Sequence, residues 1–168
     1  MAAIAERTWQ QEVARKLVSA GVEVVAWVPD KRLAPIAAAL TGEIPVRTLT
    51  SEEACIGYAA GFRAAGGMPA VLCQCSGIGN SLNALGSLVL PYGLGFPLVL
   101  SMRGTLGERN PAQVPLGRTT VELLSLLAVS SYSIHRAADI APVVDGVLAL
   151  ADGARQIAAI ILEPELDL

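Results

Sequence analysis

The stretch Ala64–Met102, AAGGMPAVLCQCSGIGNSLNALGSLVLPYGLGFPLVLSM, contains no charged residue. It is long enough to cross a bilayer, which takes about 20 consecutive apolar residues. It is broken throughout by glycine, proline, glutamine and asparagine, however, and no unbroken apolar run of that length remains. A membrane span is therefore not expected. The run reads instead as strand, turn, helix and strand. Ala70–Cys75 and Pro97–Met102 are short apolar runs bounded by turn residues, which suits strands buried on both faces. Between them, the Gly-rich turn Ser76–Asn80 feeds a helix reaching about Leu88.

The same alternation extends in both directions. Upstream, Thr8 with Gln11 forms a capping box for a helix carrying Trp9, Val13, Leu17 and Val18 at helical spacing, and Gly21 stops it. Glu23–Val28 reads as a strand ended by Pro29-Asp30, Leu33–Leu40 as a short helix and Ile44–Leu49 as a strand. Glu52–Ala65 reads as an Ala-rich helix closed by Gly66-Gly67. Downstream, Arg103–Arg118 reads as a polar loop, and the capping box Thr119-x-x-Glu122 as the start of a helix to about Leu127. Ser130–Ile134 is a strand, Asp139–Ala151 a helix and Ala158–Leu162 a last strand. Strands separated by helices predict a parallel sheet covered on both faces. The expected fold is α/β: a single doubly wound domain over residues 1–168, with a mostly parallel six-stranded sheet.

Composition narrows the class. Of 168 residues, 53% are hydrophobic and only 16% charged, which excludes a disordered chain. Twelve Lys and Arg against 15 Asp and Glu give a net charge of -3, so a nucleic-acid binder is not expected. The start, Met1–Arg7, lacks the pattern of a secretory signal, and a cytoplasmic location is expected. Cys55, Cys73 and Cys75 fit a reducing compartment. With the only histidine, His135, far away in sequence, Cys73-x-Cys75 reads as apolar filling of a buried strand rather than a metal pair. No metal ligands are expected on this chain, and His135 is expected to be structural.

In open parallel sheets, ligands sit beyond the carboxyl ends of the strands. The residues there are Pro29-Asp30-Lys31, Thr50-Ser51-Glu52-Glu53, Gln74 with Ser76–Asn80, and Arg103-Gly104. The Gly-rich turn lets a ligand approach the backbone at a helix start. It is neither GxGxxG nor a P-loop, and taken alone it reads equally as a tight strand-to-helix turn.

Together these stretches resemble the pyrimidine-binding (PYR) domain of thiamin diphosphate enzymes. The likeness is to the sulfopyruvate decarboxylase alpha subunit and the matching half of phosphonopyruvate decarboxylase. It is carried by Val28-Pro29-Asp30, by EEACIGYAAGF at Glu52–Phe62, and by QCSGIGNSLNAL at Gln74–Leu85. Arg103-Gly104 and PAQVPLG at Pro111–Gly117 add to it. Two positions depart from the pattern: Ser51, where a basic residue is frequent, and Cys75, where Ser or Asn is common. Both bear on the substrate more than on the cofactor.

The resemblance implies the following. Thiamin diphosphate carries the hard chemistry. A glutamate paired with ring nitrogen N1′ of its aminopyrimidine favours the imino tautomer, whose N4′ takes the C2 proton. The family's spacing places this glutamate at Glu52, with Glu53 as the adjacent alternative; without the resemblance, both read as acids favoured at a helix start. Gln74, Ser76, Gly77, Gly79 and Asn80 would contact the cofactor. Asp30 would serve proton transfer or substrate orientation, or else simply form the turn after Pro29. Lys31, Arg103 and Gln113 would contact a small 2-keto acid, the two cations facing an anionic tail.

The family holds the diphosphate through Mg2+ on a Gly-Asp-Gly motif followed by an Asn. The only Asp-Gly pairs here, Asp145-Gly146 and Asp152-Gly153, do not follow glycine, and no Asn occurs after Asn110. The resemblance thus implies a separate beta chain carrying Mg2+, a shared active site and a symmetric hetero-oligomer. The expected function is the alpha subunit of a two-chain thiamin diphosphate-dependent decarboxylase, a lyase. The alternatives are a carboligase subunit acting on another 2-keto acid, or a non-catalytic interaction module of the same fold.

Overall fold

Among the described residues, six short runs form the strands of one sheet, apolar in the inner four and more polar in the edge strands β2 and β5: β1 (Val24–Trp27), β2 (Val46–Thr48), β3 (Pro69–Gln74), β4 (Pro97–Ser101), β5 (Ser130–Ile134) and β6 (Ala158–Leu162). The computed structural model describes residues 7–167, so the reading of the first six residues lies outside it. The strand order is β2-β1-β3-β4-β6-β5 and every pairing is parallel. Among the described residues, six helices accompany the strands: α1 (Trp9–Ser19), α2 (Ala34–Leu40), α3 (Glu52–Ala64), α4 (Ile78–Ala84), α5 (Val114–Leu126) and α6 (Ile140–Gly153).

The side-chain period of two divides the core into two layers. Val25, Leu72, Val99 and Ile160 face Leu17 of α1, Ile36 of α2 and Val144 of α6. Their strand neighbours Ala26, Val71, Leu98, Leu100 and Ile161 face Ile56 of α3, Ile78 of α4 and Leu124 of α5. The charge-free run thus supplies the two central strands, β3 and β4, and within those strands the lack of charge reflects burial on both faces. Among the described residues, no helix is long and apolar enough to cross a membrane.

Register aligns the strand ends. Trp27 pairs with Leu72, Gln74 with Ser101, and Ser101 with Leu162. The loops leaving β1, β3, β4 and β6 therefore emerge along one edge.

Three local expectations are corrected. The helix expected to open at Thr119 opens at Val114, after a 3-10 turn at Pro111–Gln113. Asn110 starts that turn by accepting from the Ala112 N–H, and Pro111 and Pro115 suit first-turn positions. Thr119 lies inside the helix, its hydroxyl bonded back to the Pro115 carbonyl at 3.1 Å. Next, the Gly-rich turn is shorter than expected. Cys75–Gly77 forms one 3-10 turn, and Ile78–Asn80 already belongs to α4. Finally, the helix after that turn changes hand-hold at Leu85, continuing as a π turn to Val89.

The three cysteines are free and buried. Burial, with the Glu52 charge adding, pushes the Cys55 thiol up to about 12. Burial likewise drives Cys73 well above the ordinary thiol range. These thiols fill space, as the sequence suggests. His135 lies at the surface, its Nδ1 3.8 Å from Glu165 Oε2, away from the strand-end residues singled out above.

Candidate cofactor site

Ser51 caps α3 by accepting from the Ala54 N–H at 3.2 Å, which puts Glu52 and Glu53 in the first turn of the helix. The two acids then part. Glu53 is exposed. Glu52 is partly buried and lies across the turn after β3, where Asn80 Nδ2 donates to Glu52 Oε2 at 3.1 Å. The Asn80 carbonyl oxygen accepts from the buried Ser81 hydroxyl at 3.2 Å, and that hydroxyl also lies 3.0 Å from the Gly77 carbonyl. Gly77 has ordinary helical dihedrals, φ -68° and ψ -16°, so it is not needed for backbone freedom. Its role is space: a Cβ there would overlap the Glu52 side chain and stand 2.5 Å from Oε1. Glu52 Oε1 has no hydrogen-bond partner among the described residues, so one carboxylate oxygen is held and the other is free.

A second cluster adjoins the first through the same turn. Gln74, the last residue of β3, donates through Nε2 to Ser76 Oγ and to Gln113 Oε1, both at 2.6 Å. Its carbonyl oxygen accepts from an Arg103 NH at 3.1 Å. Arg103 is fixed in turn by a fork to Glu108, at 2.8 Å and 3.1 Å. Glu108 also accepts from the Asn110 N–H at 2.9 Å. The Arg103 guanidinium, with that N–H second, holds the Glu108 carboxyl down at about 2, well below the usual carboxylate range. Closeness of backbone makes this loop possible: a Cβ on Gly117 would stand 2.7 Å from the Arg103 carbonyl carbon. Thr120, buried on α5, ties the helix to β3 by donating to the Cys75 carbonyl at 3.1 Å.

Asp30 is used first as a turn residue. Its Oδ1 accepts from the Arg32 N–H at 3.0 Å, the Leu33 N–H at 3.1 Å and the buried Ser101 hydroxyl at 3.2 Å. Those bonds lead the chain into α2 and tie β1 to β4. Its Oδ2 has no partner among the described residues. Gly79 stands over Leu116, where an added Cβ would lie 3.1 Å from Leu116 Cδ1, so its bareness serves the α4–α5 contact. Lys31 is exposed and joins neither cluster.

Of the residues predicted from sequence, Glu52, Gly77 and Asn80 thus form one cluster, and Gln74, Ser76, Arg103 and Gln113 a second. Glu108, Ser81, Ser101 and Thr120 were missed. Glu108 had one signal, a lone acid five residues after a loop arginine. The others are hydroxyls whose roles arise only from tertiary contact.

An α/β domain that gathers polar side chains at its strand ends has the layout of a ligand-binding domain. Residues 7–106 match the family described as "Thiamine pyrophosphate enzyme, N-terminal TPP binding domain". The sulfopyruvate decarboxylase subunit alpha of Methanococcus maripaludis is 34% identical over 125 residues, covering 73% of this chain and 75% of that protein. The same subunit from Methanocaldococcus jannaschii is 43% identical over 83 residues, 49% of each chain. Phosphonopyruvate decarboxylase of Streptomyces viridochromogenes is 35% identical over 113 residues, covering 66% of this chain but only 28% of that protein. The 2-oxoglutarate:ferredoxin oxidoreductase of Magnetococcus marinus shares the fold, with a TM-score of 0.75 at 13% identity over 95% of this chain and 29% of that one. The chain belongs to the thiamine pyrophosphate enzyme family and corresponds to its N-terminal, cofactor-binding domain.

Proposed function

We propose that this chain is the pyrimidine-binding alpha subunit of a two-chain thiamin diphosphate-dependent 2-keto acid decarboxylase. The observation that carries this is the Glu52 carboxylate, clamped through one oxygen by Asn80 and free at the other above Gly77. A carboxylate fits an aminopyrimidine, because it can share a proton with a ring nitrogen and accept from an amino N–H. Bound there, thiamin diphosphate supplies a carbon nucleophile and an electron sink for loss of carbon dioxide.

The chain's own residues do the rest. Glu52 Oε1 would share a proton with a pyrimidine ring nitrogen, while Asn80, set by Ser81, stops the carboxylate from turning away. Partial burial beside Cys55 and Ile56 lowers the local dielectric, so that hydrogen bond is stronger than in water. Gln74, Ser76 and Gly77 line the turn that would hold the pyrimidine. Asp30, held through Oδ1, offers Oδ2 to orient substrate or relay a proton. Arg103 and Gln113, joined through Gln74, would flank the substrate.

A separate beta chain supplies the Mg2+-diphosphate half of the site, in a cytoplasmic, symmetric hetero-oligomer. The names of the alpha-subunit relatives support a partner chain. The test is reconstitution. The chain alone should bind thiamin diphosphate weakly and leave 2-keto acids untouched. Mixed with a chain bearing Gly-Asp-Gly…Asn, plus thiamin diphosphate and Mg2+, it should release carbon dioxide from a 2-keto acid. Robust activity of the chain alone would refute the two-chain reading.

A further inference from the structure

The two edges of the sheet are built differently. Strand β2 has three residues, follows Pro45 and carries the exposed Arg47, so it is defended against pairing with another chain. Strand β5, Ser130–Ile134, has five residues, with no proline and no charge. On its β6 side the Ile134 carbonyl accepts from the Glu163 N–H at 3.1 Å. Backbone groups alternate in direction along a strand, so Ser130, Tyr132 and Ile134 bond β6, and the N–H and C=O groups of Ser131 and Ser133 point outward. Among the described residues, no turn or loop bond takes up those outward groups. Beside this edge runs a groove of about 240 Å3, between Tyr132 and the apolar stripe Pro142, Val143, Gly146 and Leu150 of α6. Tyr132 is 42% exposed, and a Cβ on Gly146 would meet nothing within 4 Å. Charged groups near the edge are already engaged: Glu163 accepts from the Ser133 hydroxyl at 2.7 Å, and Arg136 pairs with Asp139 at 3.1 Å.

We propose that β5 pairs with the β5 of a second copy of this chain, antiparallel about a two-fold axis at Tyr132, so that two sheets become one. The strand is its own complement. Ser131 and Ser133 stand symmetrically about Tyr132, so Ser131 of one copy faces Ser133 of the other and exchanges both N–H···O bonds with it. Tyr132 faces its own copy at a non-hydrogen-bonded position, where side chains come closest and an aromatic pair adds stability. Ser130 stands opposite Ile134, so no like charges meet along the strand. The axis is perpendicular to the sheet, which puts both α6 helices on one face. The two Tyr132 rings then fill the grooves between the α6 stripes, and Gly146 leaves room for the approach. The cofactor site lies at the carboxyl ends of β1, β3 and β4 and stays open to a beta chain. This pairing stands whether or not the chain is a decarboxylase subunit.

The test is sedimentation and cross-linking of the full chain. Alone, it should sediment as a dimer, at twice 17.4 kDa. Y132K sets two ammonium groups against each other across the axis and should give monomer at the same concentration. S131P removes an N–H that β6 does not use, so it should keep the parent's circular dichroism and also be monomeric. Cysteine cross-linking reads the register. Facing α-carbons at position 132 would stand about 4.5 Å apart, inside the range of about 4.4 to 6.8 Å that a disulfide bridges. Y132C should therefore give a covalent dimer on mild oxidation, and S130C, opposite Ile134, should not. The three native cysteines are buried and stay out of the reaction. A parent chain that stays monomeric, a Y132K variant that stays dimeric, or S130C cross-linking as fast as Y132C would overturn the proposal. None of these readouts is turnover, so failure of the decarboxylase reading would be seen separately, in the reconstituted pair.

Discussion

Replacing Gly77 with alanine should separate the fold from the chemistry. The backbone accepts the change, because φ -68° and ψ -16° suit any L residue. Removing a glycine there stabilises by about 0.4 to 1 kcal/mol through the unfolded chain. Against that stands the loss of the Asn80–Glu52 hydrogen bond, worth about 0.5 to 1.5 kcal/mol net at a partly exposed position. The two nearly cancel, leaving a net change of about 1 kcal/mol at most, so the melting temperature should move by no more than about 2 to 4 °C. The side-chain consequence is larger. The new carbon would stand 2.5 Å from Glu52 Oε1, where ordinary contact begins at 3.4 Å. The carboxylate must retreat by roughly 1 Å, a misplacement that typically costs about 100-fold in rate. The assay is turnover of the reconstituted pair with a 2-keto acid, alongside thermal unfolding of the variant. Full turnover in G77A, with unchanged stability, would refute the claim that Gly77 exists to seat Glu52.

Further expectations follow from the loop and the core. Because Arg103 holds the Glu108 carboxyl at about 2 against an ordinary 4.5, its stabilisation should be complete above about pH 4.5 and lost as the pH falls toward 2; denaturant unfolding between those limits should show this slope, and E108Q should flatten it. Gly117→Ala places a carbon 2.9 Å from Gly104 Cα, so the β4–α5 loop must move; destabilisation of about 1 to 3 kcal/mol should appear as a lower denaturant midpoint. Iodoacetamide at neutral pH should leave all three cysteines unmodified in the folded chain and alkylate them in denaturant; rapid labelling of Cys55 when folded would contradict its buried, protonated state.

The β3–turn–α4–β4 run shows what a sequence displays and what it hides. Its apolar strands, its glycines and its lack of charge were legible because each is a local property. So was the capping box at Thr8 and Gln11, which the structure reproduces. The start of α5 was misread because two signals competed. Thr119-x-x-Glu122 has the pattern of a cap, but Asn110 and the two prolines nucleate the helix earlier, and nothing local ranks them. The site divides in the same way. Glu52 and Gly77 stand out in the sequence, yet their contact, 25 positions apart, exists only because β2 and β3 flank β1 in the sheet. The Arg103–Glu108 fork depends on loop closure over Gly104 and Gly117, which no periodicity records. Glu52 and Glu53 look alike in sequence; only the direction of α3's first turn separates them.

The most direct test of Glu52 as the residue that engages the cofactor is a pair of isosteric variants, E52Q and E53Q, in the reconstituted complex. Glu52→Gln keeps the volume and the contact with Asn80's side of the turn but cannot share a proton in the same way. Turnover should fall by about 100-fold or more, with an unchanged unfolding midpoint, while E53Q stays close to the parent. Near-normal turnover in E52Q, or an equal loss in E53Q, would contradict the account.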